Sequence, residues 1–291
     1  MPYTLPDDVD ERPVTVVGVG TLGRRIAAAF AAGGTDVRLL DVSEDQSRAA
    51  AAFVADEVEA FRDVLEVAPA RSATVHVARD LAEAVSGAWM VVEAISEDVD
   101  VKTRFFGELD RLAEHDAILA TNSSSIASSR IVSAVEHRRR VLNTHFYRPP
   151  ENNAVELMSC GVTDEGVIDA LAERLPRYGL IPFRVRRESD GFILNRVWAA
   201  IKRECLMVVE EGVATPEDVD RMWEIFTQPG IPPFRLMDRV GLDVVLAIEE
   251  HYASVRPELP DAPRRLLQRY VEDGRLGEKS GGGFYEVSAN E

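Results

Sequence analysis

Three groups of residues have the type and spacing to do chemistry. The first is Gly18-Val19-Gly20-Thr21-Leu22-Gly23, a G-x-G-x-x-G array between an apolar run and a helical pattern. Its first glycine permits a tight turn, its second lets backbone approach a pyrophosphate, and its third lets a helix pack close to a strand. The helix that starts there offers free N–H groups and its positive dipole end to phosphates. Asp41 closes the next apolar run, Val37-Arg38-Leu39-Leu40. Its carboxylate can accept hydrogen bonds from an adenine-ribose diol and would repel a 2′-phosphate, so the array points to NAD rather than NADP.

The second group is His145 and Glu156. His145 ends a predicted strand, ahead of Arg148-Pro149-Pro150. Open α/β sheets bind their ligands at the carboxyl ends of strands. Glu156 lies between Val155 and Leu157 in another apolar run, and a half-buried carboxylate needs a partner. A His–Glu pair would hold one imidazole tautomer and raise its basicity; a strand-end histidine beside an unrelated glutamate is the plainer reading. His76, His115 and His137 read as surface or structural residues, and His251 as a helix-end residue favouring the negative dipole end.

The third group is Thr121-Asn122-Ser123-Ser124-Ser125, which follows the apolar strand pattern AILAT. Such a run either supplies hydroxyl and amide groups to a crevice or caps the next helix. Asn195 falls one turn into a later helix. It either projects back toward a cleft or is an ordinary surface residue.

The elements that must position these residues follow from periodicity. Strand patterns at 14–18, 37–40, 74–77, 89–94, 117–121 and 141–146 alternate with helical patterns at 22–32, 46–65, 81–85 and 101–114. That alternation predicts a doubly wound parallel α/β sheet of Rossmann type. Two more strands are expected at 153–158 and 182–185, around a helix at 164–178. The pattern changes near Glu188. A long helix over 192–211 carries apolar residues at Ile193, Val197, Ile201, Val208 and Val209. Thr215 and Pro216 read as the N-cap and first position of another helix, with further helices at 234–240, 242–252 and 263–273. The expected division is an α/β domain over 1–187 and an all-helical domain over 188–291. Broad apolar faces on the helices predict a homodimer formed through the helical domain.

Composition narrows the function classes. A net charge of -17 over 291 residues repels nucleic acid and anionic membrane. No apolar run approaches the length of a membrane span, and the acidic N-terminal stretch lacks a signal-peptide pattern, so the cytoplasm is the expected location. Cys160 and Cys205 lack metal-ligand spacing; they read as buried thiols, and no metal is expected.

In order, these pieces resemble the 3-hydroxyacyl-CoA dehydrogenase family. The resemblance runs through GVGTLG, EAISEDVDVK (93–102), TNSSS (121–125), THFYRPP (144–150), AVEL (154–157), GFILNR (191–196), EGVATPEDVD (211–220) and DGRLGEKSGGGFYE (273–286). The variant THFYRPP with NRVWAAIKRE looks closest to a fungal-like branch. The resemblance implies that His145 is the general acid/base, that Glu156 orients it, and that Ser124 and Asn195 hydrogen-bond the substrate oxygens. Gly18, Gly20, Gly23 and Asp41 would hold the pyrophosphate and adenine ribose of NAD, with Glu97, Lys102 and Asn122 near the nicotinamide. The implied reaction interconverts 3-hydroxyacyl and 3-ketoacyl compounds, as in fatty acid metabolism, with hydride passing to or from nicotinamide; the acyl carrier is CoA by family default, with a free β-hydroxy acid or a specialised-metabolism β-keto intermediate as the alternatives.

The chain departs from the family pattern twice. Residues 44–66 carry seven acids (Glu44, Asp45, Asp56, Glu57, Glu59, Asp63, Glu66) and two bases (Arg48, Arg62) where CoA-using members have a basic helix. Such a segment should repel a polyanionic handle. Arg148 stands where the family usually has Asn; it could bind a substrate carboxylate as a bidentate pair, or point to solvent, or pair with Glu151. Two rivals to the dehydrogenase reading are an opine-type imine reductase, which needs an amine co-substrate, and a noncatalytic NAD-binding protein like some crystallins, against which the complete His145, Glu156, Ser124 and Asn195 set argues.

Overall fold

A computed structural model describes residues 3–227 and 232–286. The chain divides into two compact units, 1–193 and 194–291, six residues later than the expected 187/188 boundary.

The α/β unit is built on one eight-stranded sheet in the order β3-β2-β1-β4-β5-β6-β7-β8. Its strands are β1 (Val14–Val17), β2 (Val37–Leu40), β3 (Val75–Val77), β4 (Met90–Glu93), β5 (Ile118–Thr121), β6 (Val141–Arg148), β7 (Asn152–Ser159) and β8 (Ile181–Val185). Its helices are α1 (Thr21–Ala32), α2 (Glu44–Leu65), α3 (Leu81–Val85), α4 (Val99–Leu112) and α5 (Glu165–Arg174). The order reverses at β1, which pairs with both β2 and β4; that switch point opens the crevice used by ligands of such sheets. Central strands β1, β4 and β5 are buried along their whole length, as strands covered by helices on both faces must be. One face packs residues such as Ile26, Phe30, Val54, Phe61 and Leu171. The other packs Val85, Phe106, Leu109 and Ile131.

Two strands, β7 and β8, depart from the all-parallel expectation: they run parallel to each other and opposite to the other six. β7 runs antiparallel to β6. The link between them is only residues 149–151, and a parallel partner needs a crossover of a dozen or more residues. The hairpin that results sets His145 opposite Glu156 in register.

The helical unit comprises α6 (Leu194–Glu210), α7 (Pro216–Thr227), α8 (Pro233–Val240), α9 (Leu242–Val255) and α10 (Ala262–Glu272). Thr215 Oγ1 accepts from the Asp218 N–H at 3.2 Å, the N-cap bond expected at the start of α7. The core gathers Leu206, Phe234, Met237, Leu242, Val245, Leu267 and Phe284. The Gly-rich tail serves this core: Gly277 packs so tightly that a Cβ there would lie 2.2 Å from the Asp238 carbonyl oxygen. Helix α6 corrects one expectation. Its buried residues are Ala199, Lys202, Arg203, Cys205 and Leu206, while Val197 is exposed. The helix turns two bases inward because Glu249 on α9 is buried against them: Arg203 donates to both of its carboxylate oxygens, at 2.9 and 3.3 Å. Cys160 and Cys205 are buried free thiols.

Candidate active site

The glycine loop is shaped by close approach. Gly18 has φ 86° and a Cβ there would stand 2.5 Å from the Ala94 carbonyl oxygen; only glycine serves. A Cβ on Gly23 would lie 2.0 Å from the Gly18 carbonyl oxygen, whereas one on Gly20 would meet nothing within 4 Å. The loop is thus packed at Gly18 and Gly23 and open at Gly20. Helix α1 follows with no side-chain cap and no acid in its first turn, leaving N–H groups for an anion. Asp41 Oδ2 accepts from the Val19 N–H at 2.9 Å and Oδ1 from the Ser43 N–H at 3.2 Å. Each oxygen retains a second lone pair, so Asp41 can staple the loop and still accept from a ribose diol. These features fit the diphosphate and adenine ribose of NAD.

A network of buried charge fixes the neighbouring strand ends. The Lys102 ammonium, wholly buried, donates to Glu93 Oε1 at 2.6 Å and lies 3.2 Å from Glu97 Oε2. Glu93, at the end of β4, also accepts from the Ile95 N–H (2.8 Å) and the Thr121 hydroxyl (2.7 Å). Burial pushes the Glu97 carboxyl up, but the Ser123 hydroxyl, the Lys102 ammonium and the Ser125 hydroxyl outweigh it and hold it below the usual range. Asn122 Oδ1 accepts from the Phe146 N–H at 2.9 Å and so ties the end of β5 to β6. The serine run divides its work. Ser123 and Ser125 donate to Glu97, and the Ser123 hydroxyl also accepts from the Ile126 N–H at 2.8 Å. Ser124 is exposed and lines the cleft.

His145 and Glu156 are both buried. Their strands face each other, and His145 Nδ1 lies 3.1 Å from Glu156 Oε2. The Tyr147 hydroxyl donates to the same oxygen at 2.6 Å, and the Ile193 N–H to Oε1 at 2.8 Å. The Phe192 ring stacks on the imidazole with centroids 5.0 Å apart. With Nδ1 engaged by the carboxylate, Nε2 is the nitrogen left for a ligand.

A cleft of about 330 Å³ brings Gly20, Gly23, Glu97, Lys102, Asn122, Ser124 and His145 together. Glu156 contacts it through His145. Arg148 is exposed, and its side chain makes no hydrogen bond among the described residues; Glu151 is hydrogen-bonded by Arg25 at 2.8 and 3.2 Å, and, against the upward push of burial, the Arg25 and Arg148 charges help to hold its carboxyl below the usual range. Asn195 stands in the first turn of α6 in the helical unit, half-buried.

Sequence reasoning missed Glu93, Tyr147 and the 192–193 backbone. Glu93 carried the signal used for Glu156, a carboxylate closing an apolar strand. Tyr147 was visible as the i+2 neighbour of His145, hence on the same strand face. Phe192 has φ 53°, which no pattern of apolar residues announces.

The sequence family described as 3-hydroxyacyl-CoA dehydrogenase, NAD binding domain, matches residues 13–189, and its C-terminal domain matches 191–287. The 3-hydroxyacyl-CoA dehydrogenase-like protein LAM1 of Cochliobolus heterostrophus is 46% identical over 154 residues, which is 52% of this chain and 32% of that protein, so the match spans about a third of LAM1. A probable 3-hydroxybutyryl-CoA dehydrogenase of Bacillus subtilis is 33% identical, covering 94% of this chain and 97% of that one. A solved diketoreductase, described as catalysing on dicarbonyl compounds, superposes with a TM-score of 0.79 at 29% identity over 94% of this chain and 98% of that one. The glycine loop, the family match over nearly the whole chain and these relatives agree: the chain is an oxidoreductase of the 3-hydroxyacyl-CoA dehydrogenase family, with NAD as its cofactor.

Proposed function

We propose that the protein interconverts 3-hydroxyacyl and 3-ketoacyl compounds with His145 as general acid/base. The observation that carries this reading is the buried His145–Glu156 pair, its imidazole lining the cleft beside the glycine loop. In oxidation, Nε2 removes the proton of the substrate hydroxyl; in reduction, the imidazolium returns it to the developing alkoxide. Glu156 keeps the proton on Nδ1 and stabilises the imidazolium that forms. NAD, when bound, supplies the hydride acceptor. Ser124 and Asn195 hydrogen-bond the substrate oxygens in this reading, and Glu97, Lys102 and Asn122 shape the nicotinamide end.

Within this proposal, the acyl group is a compact β-keto or β-hydroxy acid rather than a CoA thioester. All seven acids of 44–66 are exposed. Both bases of the segment are engaged by its own acids, Arg48 by Glu44 and Arg62 by Glu59, so a polyanionic handle meets no free cation there. The exposed Arg148 supplies a candidate partner for a single carboxylate. The similarity to a reductase of dicarbonyl compounds points the same way. An NADH-oxidation panel pairing acetoacetyl-CoA with free β-keto acids tests it: the free acids should turn over faster, and a strong preference for the CoA ester would overturn the reading. Arg148→Ala should raise KM for the acids on the order of tenfold, about 1.4 kcal/mol. We extend the proposal to a homodimer formed through the helical unit, supported by exposed Met222, Ile225 and Phe226 on α7; light scattering that returned the mass of one chain would reject it.

A further inference from the structure

Glu156 accepts more than its role toward one imidazole requires. Its Oε2 takes two donors, His145 Nδ1 at 3.1 Å and the Tyr147 hydroxyl at 2.6 Å, and the tyrosine contact is the shorter. Oε1 is occupied by the Ile193 N–H at 2.8 Å. Tyr147 and His145 are two apart on β6, on one face, with ring centroids 4.5 Å apart. On the imidazole's other contact, Phe192 stacks at an interplanar angle of 26°. Phe192 itself has φ 53°, a left-handed conformation that a bulky L-residue adopts only when its surroundings enforce it. That conformation places its ring on His145 and the next N–H on Glu156. The carboxylate and the imidazole are thereby gripped from β6, β7 and the segment before α6.

We propose that Tyr147 is a positioning residue that sets the proton affinity of His145 by sharing Glu156 Oε2. A phenol donating to a carboxylate oxygen disperses part of that oxygen's charge. The oxygen is then a weaker acceptor for Nδ1–H and attracts the imidazolium less than a carboxylate left to the histidine alone. The consequence is that removing the phenol should tighten the hold of Glu156 on the imidazolium. The other ionisable groups lining the same cleft are Glu97 and Lys102, which lie 3.2 Å apart and offset each other; Glu93 holds the same ammonium at 2.6 Å. The inference rests on the dehydrogenase reading of His145 for its consequence, but not for its measurement.

The experiment is an NMR titration of the histidine rings in the full-length protein, with the His145 signal assigned by its loss in His145→Gln. In Tyr147→Phe the His145 titration midpoint should move up by on the order of half to one pH unit, while His76, His115, His137 and His251 stay within 0.2 units, about the resolution of such a titration. Replacing Tyr147 by 3-fluorotyrosine, whose phenol is a stronger donor yet stays protonated over the histidine range, should move it down. The two shifts of opposite sign separate charge sharing from a packing defect, which would move both the same way. On a Glu156→Gln background, Tyr147→Phe should produce no shift. A midpoint unchanged in both variants, or moved in the same direction by both, overturns the proposal. If instead the shifts are found but no β-keto compound is turned over, the sharing stands and the dehydrogenase reading fails. With a substrate in hand, the acid limb of the kcat–pH profile should follow the NMR midpoint in each variant.

Discussion

Glu156 in the α/β unit and Glu249 in the helical unit are both buried strand or helix carboxylates, yet their partners differ in kind. Glu156 is met by a hydroxyl, a backbone N–H and an imidazole. Glu93, a few strands away, is met by a hydroxyl, a backbone N–H and one ammonium. Glu249 is met by the Arg203 guanidinium, and a second buried cation, Lys202, sits on the adjacent position of α6. Neutral donors fix a carboxylate without adding charge, so one ionisable neighbour can change protonation while the geometry holds. Cations fix it by charge balance, and here the balance is exceeded by one. Burial pushes the Lys202 ammonium down to about 8 even though Glu249 pulls it up. The first arrangement suits proton transfer; the second has the energetics of a strained structural pair.

Breaking the first arrangement should abolish chemistry and leave stability alone. His145→Gln is expected to lower turnover by about 10²–10⁴-fold with an unchanged melting temperature. Turnover within tenfold of wild type would remove His145 from the mechanism. Breaking the second should do the reverse. Glu249→Gln leaves Arg203 and Lys202 buried without their anion, and the helical unit should lose about 3–5 kcal/mol. Urea unfolding followed through Trp198 and Trp223, both in that unit, reads the loss directly. A Glu249→Gln protein as stable as wild type would mean that the cluster is solvated in solution.

The contrast also marks what the sequence could disclose. The glycine array, Asp41 and the strand–helix alternation were legible because each is a local pattern with one physical cause: a turn, a phosphate cradle, a period. His145 and Glu156 were legible as residue types in apolar strands, but their pairing depended on a hairpin forced by the short 149–151 link, which the all-parallel expectation left out. Glu93 and Tyr147 carried the same kinds of signal and went unread because nothing local says which of several strand-end polar residues will converge. Lys202 and Arg203 were illegible for a different reason. A lysine–arginine pair in a helix reads as its solvated face, and only the partner 46 residues later, Glu249, turns that face inward.

Lys202→Met sharpens the comparison by removing the surplus cation. The lysine's proton affinity falls from the ordinary 10.5 to about 8 on folding, a shift worth roughly 3 kcal/mol at 1.36 kcal/mol per pH unit. The sign follows from proton counting. Below about pH 8 the ammonium is charged in both folded and unfolded chains, and the whole penalty of burying it is present. Between about 8 and 10.5 the unfolded chain holds more protons than the folded one, so wild-type stability rises with pH. Lys202→Met should therefore be the more stable protein at pH 7, and its advantage should shrink toward pH 10.5. An advantage that is absent at pH 7, or that grows with pH, would show that Lys202 is charged and compensated in solution.

The smallest effect belongs to a carboxylate with two duties. Asp41 holds the Val19 N–H at 2.9 Å, and its charge is what should discriminate against a 2′-phosphate. Asp41→Asn preserves the shape and an oxygen acceptor for the loop but removes the charge. The KM for NAD should rise by about tenfold, near 1.4 kcal/mol, while NADP becomes a better substrate relative to NAD and the melting temperature stays put. If the melting temperature falls and the NAD-to-NADP preference does not move, Asp41 only braces the glycine loop. In that case the α/β unit's carboxylates would divide as the buried ones do, some placed to meet a ligand and others spent on holding the fold.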